Sequence, residues 1–289
     1  MTRARATAIG FSAVLLWSLL ALLTVGSAPV PPLLMNAVAF SIGGALGLGW
    51  TALAGEMGQL RRVPLRVYAF GTLGLFGYHL FYFSALRLAP AAEAGLIAYL
   101  WPLLIVLFSG FLPGERLRAG HLAGAAIGFA GAGLIVTGGG AGFRAEFLPG
   151  YGLALLCALT WSGYSVLSRR VGSAPTSSVA VFCILTAAAS WGLHALLEET
   201  VWPATPLGWV SLAALGLGPV GLAFYVWDIG VKRGDIQLLG TSSYAAPLLS
   251  TLILVLAGIA APGWTLALAA LLITGGAALA ARTSLARRQ

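Results

Sequence analysis

Ten stretches of roughly 20 apolar residues, each ended by charge, proline or glycine, follow one another along this chain with little between them. About 20 residues wound as an α-helix match the hydrocarbon thickness of a bilayer. The runs lie near 7–26, 31–54, 66–87, 91–112, 118–138, 149–169, 176–197, 207–231, 236–260 and 264–282. Lipid holds no water to satisfy backbone polar groups, so each run must close its hydrogen bonds internally, and the weak period-2 pattern argues against a barrel. The expected fold class is all-α integral membrane with ten transmembrane helices. Composition agrees: 8% of the 289 residues are charged and the mean hydropathy is +0.94, whereas a soluble domain carries about 25% charged residues.

The placement of charge tests this reading independently, because Lys and Arg collect in short cytoplasmic loops. With the N-terminus inside, that face holds Arg3, Arg5, Arg61, Arg62, Arg66, Arg116, Arg118, Arg169, Arg170, Lys232, Arg233, Arg282, Arg287 and Arg288, fourteen of the sixteen basic residues. Only Arg87 and Arg144 fall outside, where the loop ends carry Glu93, Glu146, Glu198 and Glu199. A miscounted span would scramble this segregation, so an inner-membrane, multi-pass protein with both termini cytoplasmic is expected. The net charge of +8 is divided among short clusters and makes no continuous basic face, which disfavours nucleic acid as a partner. The partners expected are the lipid bilayer and a small-molecule substrate, with the chain acting as a monomer.

Arg3 and Arg5 before an apolar run, with small residues at Gly26 to Ala28, resemble a signal peptide. The run is as long as a spanning helix and the charge count requires it, so it is expected to be retained. Cys157 and Cys183 each lie inside an apolar stretch without zinc-site spacing, and are expected to be small buried hydrophobes. Gly43 with Gly47 and Gly124 with Gly128 show the small-xxx-small spacing that lets membrane helices approach closely.

The two halves of the chain repeat. At an offset of 144, Trp17-Ser18 falls on Trp161-Ser162 and Pro31 on Pro175. At 145, Arg87 falls on Lys232, Tyr99 on Tyr244, and Pro102-Leu103-Leu104 on Pro247-Leu248-Leu249. A unit of five helices is odd in number, so its second copy enters the membrane from the opposite side. The expected organisation is two inverted five-helix repeats, 1–143 and 144–289, around a central cavity, with the substrate near mid-bilayer and two-sided access.

Two five-helix halves, a Trp-Ser within the first helix of each and a Pro in the fourth of each, resemble the drug/metabolite transporter superfamily and its EamA-type members. The stretch AAEAGLIAYLWPLL, Ala91 to Leu104, is the most family-like segment. The aromatic-rich central helices and the length are most similar to the YddG-type aromatic amino acid exporters of that family. The resemblance implies a ten-helix basket whose cavity is lined by the third, fourth, eighth and ninth helices, with contributions from the first and sixth. It also implies export of aromatic or other apolar amino acids.

Candidate binding residues follow from polar and aromatic groups at membrane depth, which are costly there and usually face the bundle interior. His79 lies just past the centre of the third span with Tyr82 on the same face three residues on, and its ring could bind a substrate or carry a proton. In the fourth span Trp101 offers a stacking face beside Tyr99, and Pro102 removes a backbone donor, freeing a carbonyl near Ala98. Pro247 repeats this near Ser243, with Tyr244 adjacent. Trp17, Trp161 and Trp227 complete the candidate substrate-binding set, Trp17 and Trp161 because they sit mid-span rather than at an interface. Asp228 is four residues before Lys232, the order that favours a helix ion pair over a coupling carboxylate.

No enzyme is expected, and no cofactor or metal site. Gly138-Gly139-Gly140 lacks a phosphate-binding continuation, and three His on different spans make no metal constellation. The expected activity is secondary export of aromatic or other apolar amino acids by alternating access. Alternatives are export of nucleosides, sugar-derived compounds or drugs, or a membrane scaffold or enzyme.

Overall fold

The computed structural model describes residues 1–140, 142–171, 174–261 and 263–286; Arg287 and Arg288 of the expected cytoplasmic set lie outside them. Among the described residues the chain is helical, without strands. The helices in order are α1 (Arg3–Trp17), α2 (Leu20–Gly26), α3 (Pro32–Leu53), α4 (Met57–Leu60), α5 (Leu65–Leu88), α6 (Ala91–Ala98), α7 (Trp101–Ser109), α8 (Ala119–Thr137), α9 (Leu148–Leu167), α10 (Ser178–Leu197), α11 (Pro206–Leu217), α12 (Ala223–Arg233), α13 (Ile236–Ser242), α14 (Ala245–Leu256) and α15 (Trp264–Leu285). A 3₁₀ turn at Ala145–Phe147 leads into α9, and a π-helical turn at Gly218–Leu222 joins α11 to α12.

Among the described residues, nine helical segments are long and apolar enough to cross a membrane: 3–26, 32–53, 91–109, 119–137, 145–167, 178–197, 206–233, 236–256 and 264–285. The 24-residue α5 is as long as these, but three tyrosines, a histidine and two arginines make it less apolar.

Local chemistry explains the ends and the breaks. Pro32, Pro149 and Pro206 occupy first-turn positions where a missing N–H costs nothing. Thr205 Oγ1 accepts the Gly208 N–H at 3.1 Å, and Asp235 Oδ1 accepts the Leu238 N–H at 3.0 Å. Gly138, left-handed at φ 61°, stops α8. Three spans are interrupted in mid-course, at Ser18-Leu19, Tyr99-Leu100 and Ser243-Tyr244. The last two sit three residues before Pro102 and Pro247, where the ring displaces the regular hydrogen bond. Their occurrence at matching positions follows the paired prolines of the two halves. The Trp17-Ser18 break has no counterpart at Trp161-Ser162, where α9 runs on and Ser162 Oγ donates to the Ala158 carbonyl at 2.7 Å.

The long helices of the first half pack chiefly on one of the second: α1 on α12, α3 on α10, α5 on α9, and α8 on α15, while α7 meets both α9 and α13. Small residues make these contacts possible. A Cβ on Gly10 would stand 2.7 Å from the Gly230 Cα, one on Gly43 2.8 Å from the Gly221 Cα, and one on Gly124 2.6 Å from the Gly276 carbonyl oxygen. At Gly47 the Tyr225 ring fills the space a side chain would need, and the Tyr225 hydroxyl donates to the Gly43 carbonyl at 2.9 Å. At Gly128 the Tyr244 ring does the same. A buried Asn36 Nδ2 donates to Ser190 Oγ at 2.8 Å and sets the register of α3 on α10. In lipid, such close approach and interhelical hydrogen bonds supply the association energy that hydrophobicity supplies in water.

Gly124→Val should therefore lower stability by ~1–3 kcal/mol through overpacking, read as a fall in the melting temperature of purified protein in detergent. Gly152→Ala, where an added Cβ meets nothing within 4 Å, is the control expected to melt like the parent.

Candidate functional site

Four tryptophans from four helices meet at the centre of the bundle. Trp17 ends α1, Trp101 opens α7, Trp161 lies within α9 and Trp227 within α12. Every pair among them is in ring contact. Centroid separations are 6.0 Å for Trp17–Trp101, 5.8 Å for Trp17–Trp161, 5.1 Å for Trp17–Trp227, 6.4 Å for Trp101–Trp161, 5.9 Å for Trp101–Trp227 and 6.2 Å for Trp161–Trp227. Most pairs are edge-to-face, the arrangement ring quadrupoles favour, while Trp161 and Trp227 stack at 20°. Two indole N–H groups find partners: Trp17 Nε1 donates to the Pro219 carbonyl and Trp227 Nε1 to Ser165 Oγ, each at 3.1 Å. The first of these carbonyls belongs to the π-helical turn, so that irregularity places an acceptor against the cluster.

On one side of the tryptophans an aromatic wall continues. Phe224 touches Trp161 at 5.7 Å and stacks on Phe40 at 5.5 Å and 12°. His79 stands edge-on to Phe40 at 5.1 Å and to Tyr78 at 5.2 Å. Tyr78 contacts Trp161 at 5.5 Å and stacks on Tyr82 at 6.2 Å. His79 and Tyr82, expected to share a face, thus meet through Tyr78 and Phe83 rather than ring to ring. His79 Nδ1 lies 2.8 Å from the Leu75 carbonyl. A carbonyl only accepts, so Nδ1 carries the proton and Nε2 presents a lone pair with no partner among the described residues.

Phe40, Trp161 and Trp227 are buried, whereas Tyr78, His79, Tyr82 and Phe83, in ring contact with them or with one another, are half-buried, as is Tyr99. The other side of the tryptophans is closed. There Lys232 Nζ binds Asp228 Oδ1 at 2.9 Å and the Ala174 carbonyl at 3.0 Å, and Thr176 Oγ1 donates to Asp228 Oδ2 at 2.8 Å. The gap beside them, lined by Val67, Phe70 and Phe182, measures about 10 Å³, room for about one water.

The fourth-span break has polar consequences. Among the described residues the Ala98 carbonyl accepts no backbone hydrogen bond, and the Leu103 N–H, freed from its helical partner, donates to the Tyr244 hydroxyl at 3.1 Å. In the other half the chemistry differs: the Ser243 carbonyl accepts the Ala246 N–H at 3.1 Å, and Ser243 Oγ donates to the Leu239 carbonyl at 2.7 Å. Ser243 and Tyr244 are fully buried, and Tyr244 packs with Phe129, Ala132 and Ile273 away from the tryptophans. The structure therefore brings Trp17, His79, Tyr82, Trp101, Trp161 and Trp227 into one aromatic system, with Tyr99 and Pro102 at its edge. It places Ser243, Tyr244 and Pro247 in the scaffold behind the break, where Tyr244 closes the hydrogen-bond gap that Pro102 opens.

Sequence reasoning missed Phe40, Tyr78 and Phe224. Phe224 was within reach, since it lies three residues before Trp227 and so on the same helical face; Phe40 carried no signal beyond an apolar side chain among many. By contrast Trp50, Trp191, Trp202, Trp209 and Trp264 are all exposed near helix ends, as an interfacial belt requires.

A bundle of helices long and apolar enough to cross a membrane, with a cluster of aromatic side chains at its centre, defines a polytopic membrane protein. Comparison with known proteins identifies its kind. The sequence profile of the EamA-like transporter family matches twice, over residues 5–137 and 148–282, and the chain belongs to that family. It is similar, at 58% identity over the whole of both chains, to the aromatic amino acid exporter YddG of Ancylobacter novellus. It is 27% identical, over 87% of this chain and 88% of the relative, to the protein of the same name from Salmonella typhimurium. A crystal structure 57% identical superposes with a TM-score of 0.93, covering 99% of this chain and 100% of that one.

Tyr244→Phe should keep the packing and leave the Leu103 N–H without its acceptor, at a cost of about 1 kcal/mol or somewhat more. The expected result is a lower melting temperature; a melting curve superimposed on the parent's would show that the hydroxyl does not support the break.

Proposed function

We propose that this chain is a secondary transporter that exports aromatic and other apolar amino acids across the inner membrane by alternating access. The observation that carries the reading is the four-tryptophan cluster with the half-buried rings of Tyr78, His79 and Tyr82 beside it. The accessible rings of Tyr78 and Tyr82 suit an aromatic side chain, each ring contact contributing about 0.5–1.5 kcal/mol. The His79 Nε2 lone pair and the unpartnered Ala98 carbonyl suit the ammonium group of an amino acid, as both accept hydrogen bonds. The names of the full-length relatives agree with this cargo.

The ten-span, inverted architecture with repeats at 1–143 and 144–289 belongs to the same proposal. Two observations support it. The helix pairing maps onto itself when the halves are exchanged: α1 on α12 becomes α9 on α5, and the α3–α10 and α8–α15 pairs map onto themselves. The Glu198 carboxylate, just after α10, accepts N–H groups of Leu33 and Leu34 at the start of α3 and meets Arg87 at the end of α5, so α3 and α5 form an outward-and-return pair and α5 counts as a span. Both termini then share the cytoplasmic side. The sequence carries no P-loop pattern, and the energy source proposed is a gradient of substrate or of a coupled ion.

Two measurements test the proposal. Purified protein in liposomes should exchange labelled Phe, Tyr or Trp well above empty vesicles, and Trp101→Ala or His79→Ala should weaken apparent affinity about tenfold, equivalent to ~1.4 kcal/mol, at unchanged membrane abundance. Flux no greater than in empty vesicles would discard the cargo. For topology, single cysteines at Gln59 and Glu199, in a background without Cys157 and Cys183, should react with an impermeant maleimide from opposite faces; reaction from one face would sink the inverted arrangement.

A further inference from the structure

A network of charge closes one end of the bundle and has no image at the other. The Glu115 carboxylate, in the loop between α7 and α8, is bound by Arg3 Nη2 at 3.1 Å and by Arg169 Nη1 at 2.5 Å. Arg3 also meets Asp235 at 3.5 Å. Arg169 reaches further, its Nε donating to the Val231 carbonyl at 2.6 Å and its Nη2 to the Gly234 carbonyl. The Asp235 N–H donates to Thr7 Oγ1 at 2.8 Å. These residues come from the start of α1, the α7–α8 loop, the end of α9 and the α12–α13 junction, so the network crosses the bundle from half to half. The Glu115 side chain is 4% exposed and that of Asp235 8%, so solvent ions screen them little.

The repeat offset locates the positions that would build the same network at the opposite end. Arg3 corresponds to Phe147, Glu115 to Ala260, Arg169 to Val25 and Asp235 to Pro90; none is charged. What that end has instead, Glu198 with His194, Arg87 and the start of α3, also joins the two halves, but through a single carboxylate whose Arg87 partner is 57% exposed.

We propose that Arg3, Glu115, Arg169 and Asp235 are the gate of the transport cycle on the N-terminal side, and that their lack of a counterpart makes the state closed on that side the resting one. The proposal rests on the alternating-access reading above. None of the four belongs to the aromatic cluster; they are positioning residues. Two inverted repeats of identical sequence would weight the two states equally, so the difference between this network and the Glu198 clamp at the other end sets the balance. Glu115 is its centre, because removing it leaves two guanidinium groups facing each other.

The test uses Phe83→Cys in full-length protein with Cys157 and Cys183 changed to Ala, labelled by an impermeant maleimide in vesicles of either orientation. Labelling is expected from the side opposite the gate. Glu115→Gln, Arg169→Gln and the milder Arg3→Gln should each slow it, Glu115→Gln by about tenfold, and should open reaction from the gate side. The same variants should lower the half-saturating concentration of substrate offered on the gate side, which a merely structural role would not do. Unchanged labelling in the single variants at normal membrane abundance would overturn the gate, as would failure of all three to change the half-saturating concentration. Equal labelling of the parent Phe83→Cys protein from both sides would instead overturn the alternating-access reading itself.

Discussion

A backbone polar group in hydrocarbon must be hydrogen-bonded by the protein, and the rest of this structure is arranged around that constraint. It makes the chain helical from end to end, and it makes every interruption of a helix expensive. Three interruptions nonetheless occur at mid-bundle, two of them repaired locally and one by another element. Ser18 Oγ returns a hydrogen bond to the Leu15 carbonyl at 2.6 Å. The Leu103 N–H is received by Tyr244 from the opposite half. At Ser243 the Ala246 N–H and the serine's own hydroxyl restore the ladder. The repair is incomplete at Ala98, beside Tyr99 and Trp101, and that is where a polar ligand has something to bind. Breaking a helix is thus the means by which an apolar bundle obtains hydrogen-bonding capacity at its centre.

Pairing across the halves is the second organising fact. Glycine-on-glycine contacts bring α1 to α12 and α8 to α15 at backbone distance, so the helices have little freedom to separate, while contacts of this kind carry few specific side-chain locks. Specific locks lie at the ends: the Glu115 network on one side and the Glu198 clamp on the other. An arrangement with smooth small-residue seams and ionic ends suits helices that tilt about one another while the ends choose the state. The aromatic floor of Trp17, Trp101, Trp161 and Trp227 spans both halves.

Much of this architecture could be read before any coordinates. The ten apolar runs foretold the helix limits to within a few residues because a span is a local property: twenty-odd consecutive side chains must be apolar whatever their neighbours. Trp17, Trp101, Trp161 and Trp227 could be singled out because indoles far from an interface need a reason to be there. The paired prolines likewise announced two breaks. Asp228 and Lys232, four residues apart on one helix, could be paired from spacing alone.

Tertiary structure alone decided the rest, since it depends on which helix faces which. Tyr244 and Ser243 looked like the image of the Tyr99 region, yet the repeats diverge there, and Tyr244 turns its hydroxyl into the Pro102 break instead of toward the tryptophans. Phe40 and Phe224 joined the site only once α3 and α12 were packed together. Glu115, 54 residues from Arg169 and 112 from Arg3, carries no local signature of a gate, because an ion pair between distant segments is a property of the assembled bundle. Length and hydropathy act residue by residue along the chain and are therefore legible in it; the facing of side chains is settled only when the helices choose their partners.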